Sequence, residues 1–340
     1  MNKYFIKFGL SNKPNAGSKA MRDIMDLLCN QGYKCVVSLP TNANKLFKLL
    51  DIPILIFTIL FKIRKNGVLI YFVPSNLQRI KLLAFFKRII KYRLICFIND
   101  VESLRVPKNN ECTQREINGI KVADIILVPN NNSKDILSTE FHFKNHMIPV
   151  HVWDYLYDKC PTPKIATHYQ DLPIALAGNF HFFPYLKELN KITCNFKIWG
   201  EKTVYIQQEN LIFMGTQTPE GLINDIIDCS WGLVWYGESI ESCTGELSNY
   251  IKFCNSHKCG LYLAAGIPLI VWKESGMAHF VNENKVGICV ESLYEAESII
   301  KGMNDEDYNK YRDNARRIGE NIRHGHYFLE ALKKAESIYL

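Results

Sequence analysis

Two Rossmann-like α/β domains, each built on a parallel sheet and facing one another across a ligand cleft, are what this sequence predicts, and three observations predict them. Short apolar runs alternate with segments of helical period, the pattern of strand-helix-strand units. The runs are apolar throughout instead of alternating with polar residues, as strands covered on both faces are. The alternation then pauses once, at the proline-bearing stretch "KCPTPKIATHYQDLP" from Lys159 to Pro173, and starts again.

In chain order, Tyr4–Phe8 reads as a strand, Gly17–Gln31 as a helix and Lys34–Ser38 as a strand. Two apolar-basic helices follow, Ile52–Ile63 and Leu77–Tyr92, with the strand "GVLIYFV" at Gly67–Val73 between them; Leu94–Ile98 and Ile125–Val128 are further strands. After the pause come strands at Ile174–Ala177, Phe196–Trp199, Leu211–Met214, Gly232–Trp235, Leu269–Trp272 and Gly287–Val290, with a helix beginning near His257. Residues from Asp305 to Leu340 are helical and largely charged, broken at Arg323–Gly325. The domains so drawn are 1–152, a linker at 153–173, a second domain at 174–320, and a closing helix at 321–340 that can cross back to the first domain.

A chain of 340 residues is long enough for two cores, and 47% hydrophobic against 22% charged residues is the balance of a folded protein. The net charge of +7 is unevenly placed: Lys and Arg recur from Lys45 to Arg93 with Asp51 as the sole acid. That segment carries a basic face. The eleven cysteines form no CxxC pair and no zinc spacing, so free thiols in a reducing compartment are expected, and no metal. The start "MNKYFIKFGLSNK" reads as a first strand, not a secretory signal, and the expected location is cytoplasmic. "IPILIFTILFKI", Ile52–Ile63, is too short for the ~20 residues that span a membrane. It reads as a buried or interfacial helix. Leu77–Tyr92 is amphipathic, basic and aromatic; it fits the headgroup layer of an inner-membrane surface and fits equally an ordinary core-facing helix.

The stretch "NSHKCGLYLAAGIPLIVW", Asn255–Trp272, carries the chemistry. Its helix opens on Lys258, a cation at the end where unpaired N–H groups and the helix dipole already supply positive charge. That placement is unfavourable unless an anion binds there, so a phosphate or diphosphate site is expected, with a sugar nucleotide as the ligand. The loop "KPNAGSKA", Lys13–Ala20, places Gly17 and Ser18 at another helix N-terminus, but without the GxxxxGK[ST] spacing of an NTP-hydrolysing loop. No GxGxxG with a following acid is present, which argues against a dehydrogenase. Nor does any nucleic-acid signature accompany the basic face, so no nucleic-acid partner is expected.

The span from Gly232 to Leu293, with "WYGES", "CTGE", "YIKF", "NSHK", "LYL" and "PLIVW" in order, resembles bacterial GT-B glycosyltransferases of surface polysaccharide synthesis. The likeness is to O-antigen β-1,6-galactofuranosyltransferases and to the glucosyltransferases that extend glycans on adhesins. "SKAMRDIMDLL", "INDVESLR", "LAGNF", "FMGTQTPE" and "IRHGHYF" continue it along most of the chain.

The resemblance implies GT-B architecture and a hexosyltransferase, with galactofuranose as the expected sugar, that moves it from a UDP-sugar donor to a lipid-linked or protein-linked glycan without metal or cofactor. Lys258 then neutralises the diphosphate, with Asn255 and Tyr250 shaping the pocket. Gly178, Asn179 and Gly215 sit past strands where backbone approaches nucleotide, or else form simple tight turns; Tyr236 and Gly237 border the donor, or else the rim. Many retaining relatives carry a glutamate before the Gly-x-Pro turn, where this chain has Leu261, Tyr262 and Leu263. That departure points to inversion, which requires a base. Asp100, ending "ICFIND", is the candidate, and capping of a helix from Val101 is its other reading. Arg105 pairs with Asp100 or with an acceptor phosphate. Transfer of glucose or another hexopyranose from UDP to a glycan is one rival function and a non-catalytic sugar-nucleotide-binding subunit the other; a homo-oligomer is compatible with each.

Overall fold

In a computed structural model, the described residues are 1–8, 16–39, 45–74, 77–105, 110–159, 168–180, 183–201, 208–245 and 247–339. The chain divides into two compact units. One comprises Met1–Lys13, Met21–Val150 and Phe328–Leu340, and the other Pro14–Ala20 and His151–Tyr327. Part of the proline-bearing stretch, 160–167, and the loop positions 13–15 lie outside the described residues.

The first unit is a six-stranded parallel sheet. Its strands are β1 (Lys3–Phe8), β2 (Lys34–Leu39), β3 (Val68–Val73), β4 (Arg93–Ile98), β5 (Ile125–Val128) and β6 (His146–Pro149), in the order β2-β1-β3-β4-β5-β6. Strands β3 and β5 are buried along their whole length, as an apolar parallel strand must be. Helices α1 (Ala16–Asn30), α2 (Lys45–Lys62), α3 (Leu77–Ile90), α4 (Glu102–Arg105), α5 (Asn110–Ile120) and α6 (Asn131–Thr139) connect the strands. Helix α2 begins seven residues before the expected Ile52 and carries Pro53 inside it. The last helix, α13 (His326–Ser337), contributes to this unit from Phe328 onward: Phe328 packs edge-on to Phe97, and Tyr33 donates to the Glu336 carboxylate.

The second unit repeats the plan. Its strands are β7 (Ile174–Ala177), β8 (Phe196–Trp199), β9 (Leu211–Gly215), β10 (Gly232–Val234), β11 (Leu269–Trp272) and β12 (Gly287–Val290), all parallel, in the order β12-β11-β10-β7-β8-β9. Five helices complete most of its cover: α7 (Pro219–Ile226), α8 (Ser248–Phe253), α9 (His257–Ala264), α10 (Ala278–Asn284) and α11 (Leu293–Gly302); the long α12 (Asp305–Arg323) packs on α9. Strands β9 and β12 are the two edges of this sheet; Ile212, Phe213 and Met214 on β9 are exposed, whereas β12 is nearly all buried.

The strand order creates a reversal. From β7 the chain builds outward to β8 and β9, then returns to place β10 on β7's other side, pairing Gly232 with Ala175. Open α/β sheets bind ligands beyond the carboxyl ends of strands at such a switch point.

Candidate functional site

Helix α9 starts at that switch point, and its position is fixed from three directions. Tyr262, wholly buried, accepts a hydrogen bond from Ala177 N (2.8 Å) at the end of β7. Its ring lies so close to Gly232 that a Cβ there would stand 2.3 Å from it, so glycine is required at the start of β10. At the helix's other end, the buried Arg323 donates from Nη1 to Ala264 O (2.8 Å), supplying a cation to carbonyls the helix itself leaves unpaired. Gly260 packs on the Trp153 carbonyl while the Trp153 indole donates to Asn255 O (2.9 Å) and stacks on His257.

Ser256 is the N-cap, its Oγ accepting from Lys258 N at 3.3 Å. The same hydroxyl meets the Tyr236 hydroxyl at 3.1 Å. Tyr236 follows β10, and Gly178 follows β7 with φ +148°, a conformation that L side chains rarely adopt.

The amine of Lys258 is the centre of this arrangement. It is 9% exposed, and its Nζ has no hydrogen-bond partner among the described residues. It lies 4.2 Å from the ring centroids of both Phe183 and Tyr236, held between two aromatic faces. A Cβ added at Gly178 would come 3.8 Å from Nζ and 2.8 Å from Phe183 Cζ. Burial pushes the lysine well down, to about 7, and the neighbouring His257 down to about 4. A desolvated ammonium that lacks an anion, at the positive end of a helix, is a poised receptor for negative charge. The aromatic faces offset only part of its lost hydration.

The expected site residues separate into groups. The structure brings together Lys258, Tyr236 and Gly178. Asn255, buried, anchors Trp153 through its carbonyl. Asn179 is exposed beside Gly178, and Gly237 is pressed against Ser242 O, which a Cβ would approach to 2.6 Å. Tyr250 is half-buried on α8, its carbonyl accepting from Cys254 N (3.0 Å). Gly215 ends β9 with φ +80° and open space around it. Gly17 and Ser18 lie in the first turn of α1 and count with the second unit; the adjacent Lys19 donates to Leu156 O (2.9 Å) and lies over the Tyr155 ring.

Asp100 belongs to the first unit, just past β4, with its N–H on Val73 O (3.2 Å) and its carboxylate 3.6 Å from Arg105. The helix there starts at Glu102, not Val101, and the Glu116 carboxylate accepts from the N–H groups of Glu102 (3.1 Å) and Ser103 (2.9 Å). Sequence reasoning missed Phe183 and passed over Ser256. The latter had a signal, a serine immediately before an apolar helix; Phe183 had none. A cavity of about 500 Å³ opens between α11 and α12, lined by Lys285, Ile299, Gly302, Lys310 and Tyr311 among others, and none of the residues at the α9 tip lines it.

Two six-stranded parallel α/β units are the architecture of the GT-B glycosyltransferase fold. Among similar solved structures is Anabaena HepE in complex with UDP and glucose (12% identity, 99% of both chains covered, TM-score 0.61). Another is the trehalose-6-phosphate protein of E. coli bound with UDP-2-fluoro glucose (10% identity, 97% of this chain and 99% of that one, TM-score 0.57). At such identities the likeness is one of fold.

Residues 2–151 match the N-terminal domain and residues 174–335 the C-terminal domain of the glucosyltransferase 3-like family, and the chain belongs to that family. It is 26% identical to the beta-1,6-galactofuranosyltransferase WbbI of Escherichia coli K12 over 97% of each chain. It is 27% identical to glucosyltransferase 3 of Streptococcus gordonii over 72% of this chain and 71% of that one.

Proposed function

We propose that this protein transfers a hexosyl group from a UDP-sugar to a surface glycan, with inversion and without a metal ion or cofactor. The observation that carries the reading is the buried amine of Lys258 at the α9 tip, which has no hydrogen-bond partner among the described residues. As the bond from the anomeric carbon to the β-phosphate oxygen breaks, its electron pair passes to the diphosphate; Lys258 and the first N–H groups of α9 stabilise that charge. The acceptor hydroxyl forms the new bond and gives its proton to Asp100, whose carboxylate Arg105 orients. Tyr236, Gly237, Gly178, Asn179, Gly215, Asn255 and Tyr250 border the donor in this reading, with Gly17 and Ser18 contributing a second helix N-terminus.

Galactofuranose is the proposed sugar, supported by the E. coli relative matched over nearly the whole of both chains. A glucosyl donor is the second reading, supported by the streptococcal relatives and the family's own description. The acceptor is a lipid-linked glycan under the first and a protein-linked glycan under the second.

The test measures UDP release and glycan extension with UDP-galactofuranose and UDP-glucose, with and without a chelator. Turnover indifferent to the chelator, and lowered about 10²- to 10⁴-fold in Asp100→Asn with UDP affinity retained, is the expected result. No release from any UDP-sugar would instead leave a nucleotide-sugar-binding subunit without catalysis.

A further inference from the structure

The outer face of the first unit carries an apolar surface of unusual composition. Helix α2 has no charged residue from Ile52 to Phe61, and its outward positions at helical spacing are Leu50, Ile54, Phe57, Leu60 and Phe61, all exposed. Phe57 and Phe61 are each 61% exposed, with ring centroids 4.3 Å apart. Helix α3 packs beside α2 and turns Phe85 (58%) and Ile89 (57%) outward. Exposed aromatics in a contiguous group mark a surface meant to be covered.

The charges say by what. Cations that face inward have partners: Arg79 is held by Asp51, and Lys87 by Asp124 and by Val122 O. Of the exposed cations, Lys62 donates to Val36 O (3.0 Å) and is likewise engaged. Arg64 and Lys65 just beyond α2, Lys81 and Arg88 on the exposed side of α3, and Lys91 after it are exposed and enter no ion pair among the described residues. Asp51, the sole acid between Lys45 and Arg93, is already neutralised by Arg79. A second copy of this chain would set these cations against their own kind. A bilayer whose headgroups are anionic would pair them while its acyl boundary receives the phenyl rings.

We propose that the outward face of α2 and α3 docks on an anionic lipid surface, with Phe57 and Phe61 inserted and Arg64, Lys65, Lys81, Arg88 and Lys91 around them on phosphate headgroups. Lys87, the obvious lysine of a basic helix, takes no part because it is bound to Asp124. The proposal concerns the first unit alone and stands apart from the donor reading.

The experiment is flotation of the full chain with phosphatidylcholine vesicles and with vesicles in which phosphatidylglycerol replaces part of the phosphatidylcholine. Wild type is expected to float with the anionic vesicles and to be released by salt. Phe57→Ser with Phe61→Ser should weaken that binding at least tenfold, and Arg64→Ala with Lys65→Ala and Arg88→Ala should weaken it while leaving the thermal midpoint unchanged. UDP affinity, read on the same samples, should be equal in all variants, which separates loss of docking from loss of fold and from any failure of the donor site. Absence of wild-type binding to anionic vesicles would overturn the proposal, as would binding indifferent to the phenylalanine changes. A dimer that Phe57→Ser with Phe61→Ser dissolves would likewise overturn it, by showing the face covered by a second copy.

Discussion

Raising the pH from 7 to 9 should weaken UDP binding about fiftyfold, an effect traceable to one amine. Burial brings Lys258 to about 7, so in the empty site it is half neutral at that pH. A diphosphate in contact favours the ammonium form, so the complex holds its proton to a higher pH. Binding therefore takes up a proton, and the loss of affinity is about fivefold over the first pH unit above 7 and approaches about tenfold over the next, until the complex itself begins to deprotonate. The ligand alone predicts the opposite sign, since a terminal phosphate loses its last proton near about pH 6 and gains charge as pH rises. Isothermal titration in buffers of different ionisation enthalpy reads both quantities; proton uptake should rise from about half toward one over this range. Lys258→Met should flatten the profile and bind at least about tenfold more weakly at pH 7. A wild-type affinity that is constant or improves from pH 7 to 9, or a slope that survives in Lys258→Met, would refute the reasoning.

The same lysine makes a prediction for the empty protein. Its pKa is lowered from the ordinary 10.5 in the folded state, so the unfolded chain binds the proton more tightly. Stability from this group is lowest below about pH 7 and rises as pH climbs toward 10.5. Lys258→Met should consequently be more stable than wild type near pH 7 by a few kcal/mol, since each tenfold loss of proton affinity on folding costs about 1.4 kcal/mol, with the gap closing at alkaline pH. Chemical denaturation across that range checks it, and an equally stable or weaker variant at neutral pH would contradict it. Gly178→Ala should cost about 1–3 kcal/mol in thermal stability and also weaken UDP binding, because its Cβ would displace the Phe183 ring that supports Lys258. Unchanged UDP affinity in that variant would detach Phe183 from the site.

Much of the architecture could be read from the chain because a buried parallel strand must be apolar along its whole length, and "VLIYFV" or "LIVW" admits little else. Strand β9 shows the limit of that rule: "LIFM" reads like the others, yet its side chains are exposed, and what covers a strand is not written in its local composition. Helix α2 starts at Lys45, earlier than the apolar run from Ile52 suggests, and it continues through Pro53. At the site, Lys258 was legible as a charge in an apolar run. Of its two aromatic supports Tyr236 was legible at the end of a strand and Phe183 was not, since Phe183 arrives from a segment far away in sequence and is recognisable only by the ring centroid 4.2 Å from the amine. Glu116 was likewise out of reach of local reading: it lies more than a dozen residues downstream, yet its carboxylate accepts from the N–H groups of Glu102 and Ser103 at the start of α4.

The account rests on Lys258 receiving a diphosphate, and a crystal structure of the protein with UDP tests that most directly. It should show a β-phosphate oxygen within hydrogen-bond distance of Lys258 Nζ at the start of α9. A nucleotide bound elsewhere, with the amine still enclosed by Phe183 and Tyr236 and touching no ligand atom, would contradict it.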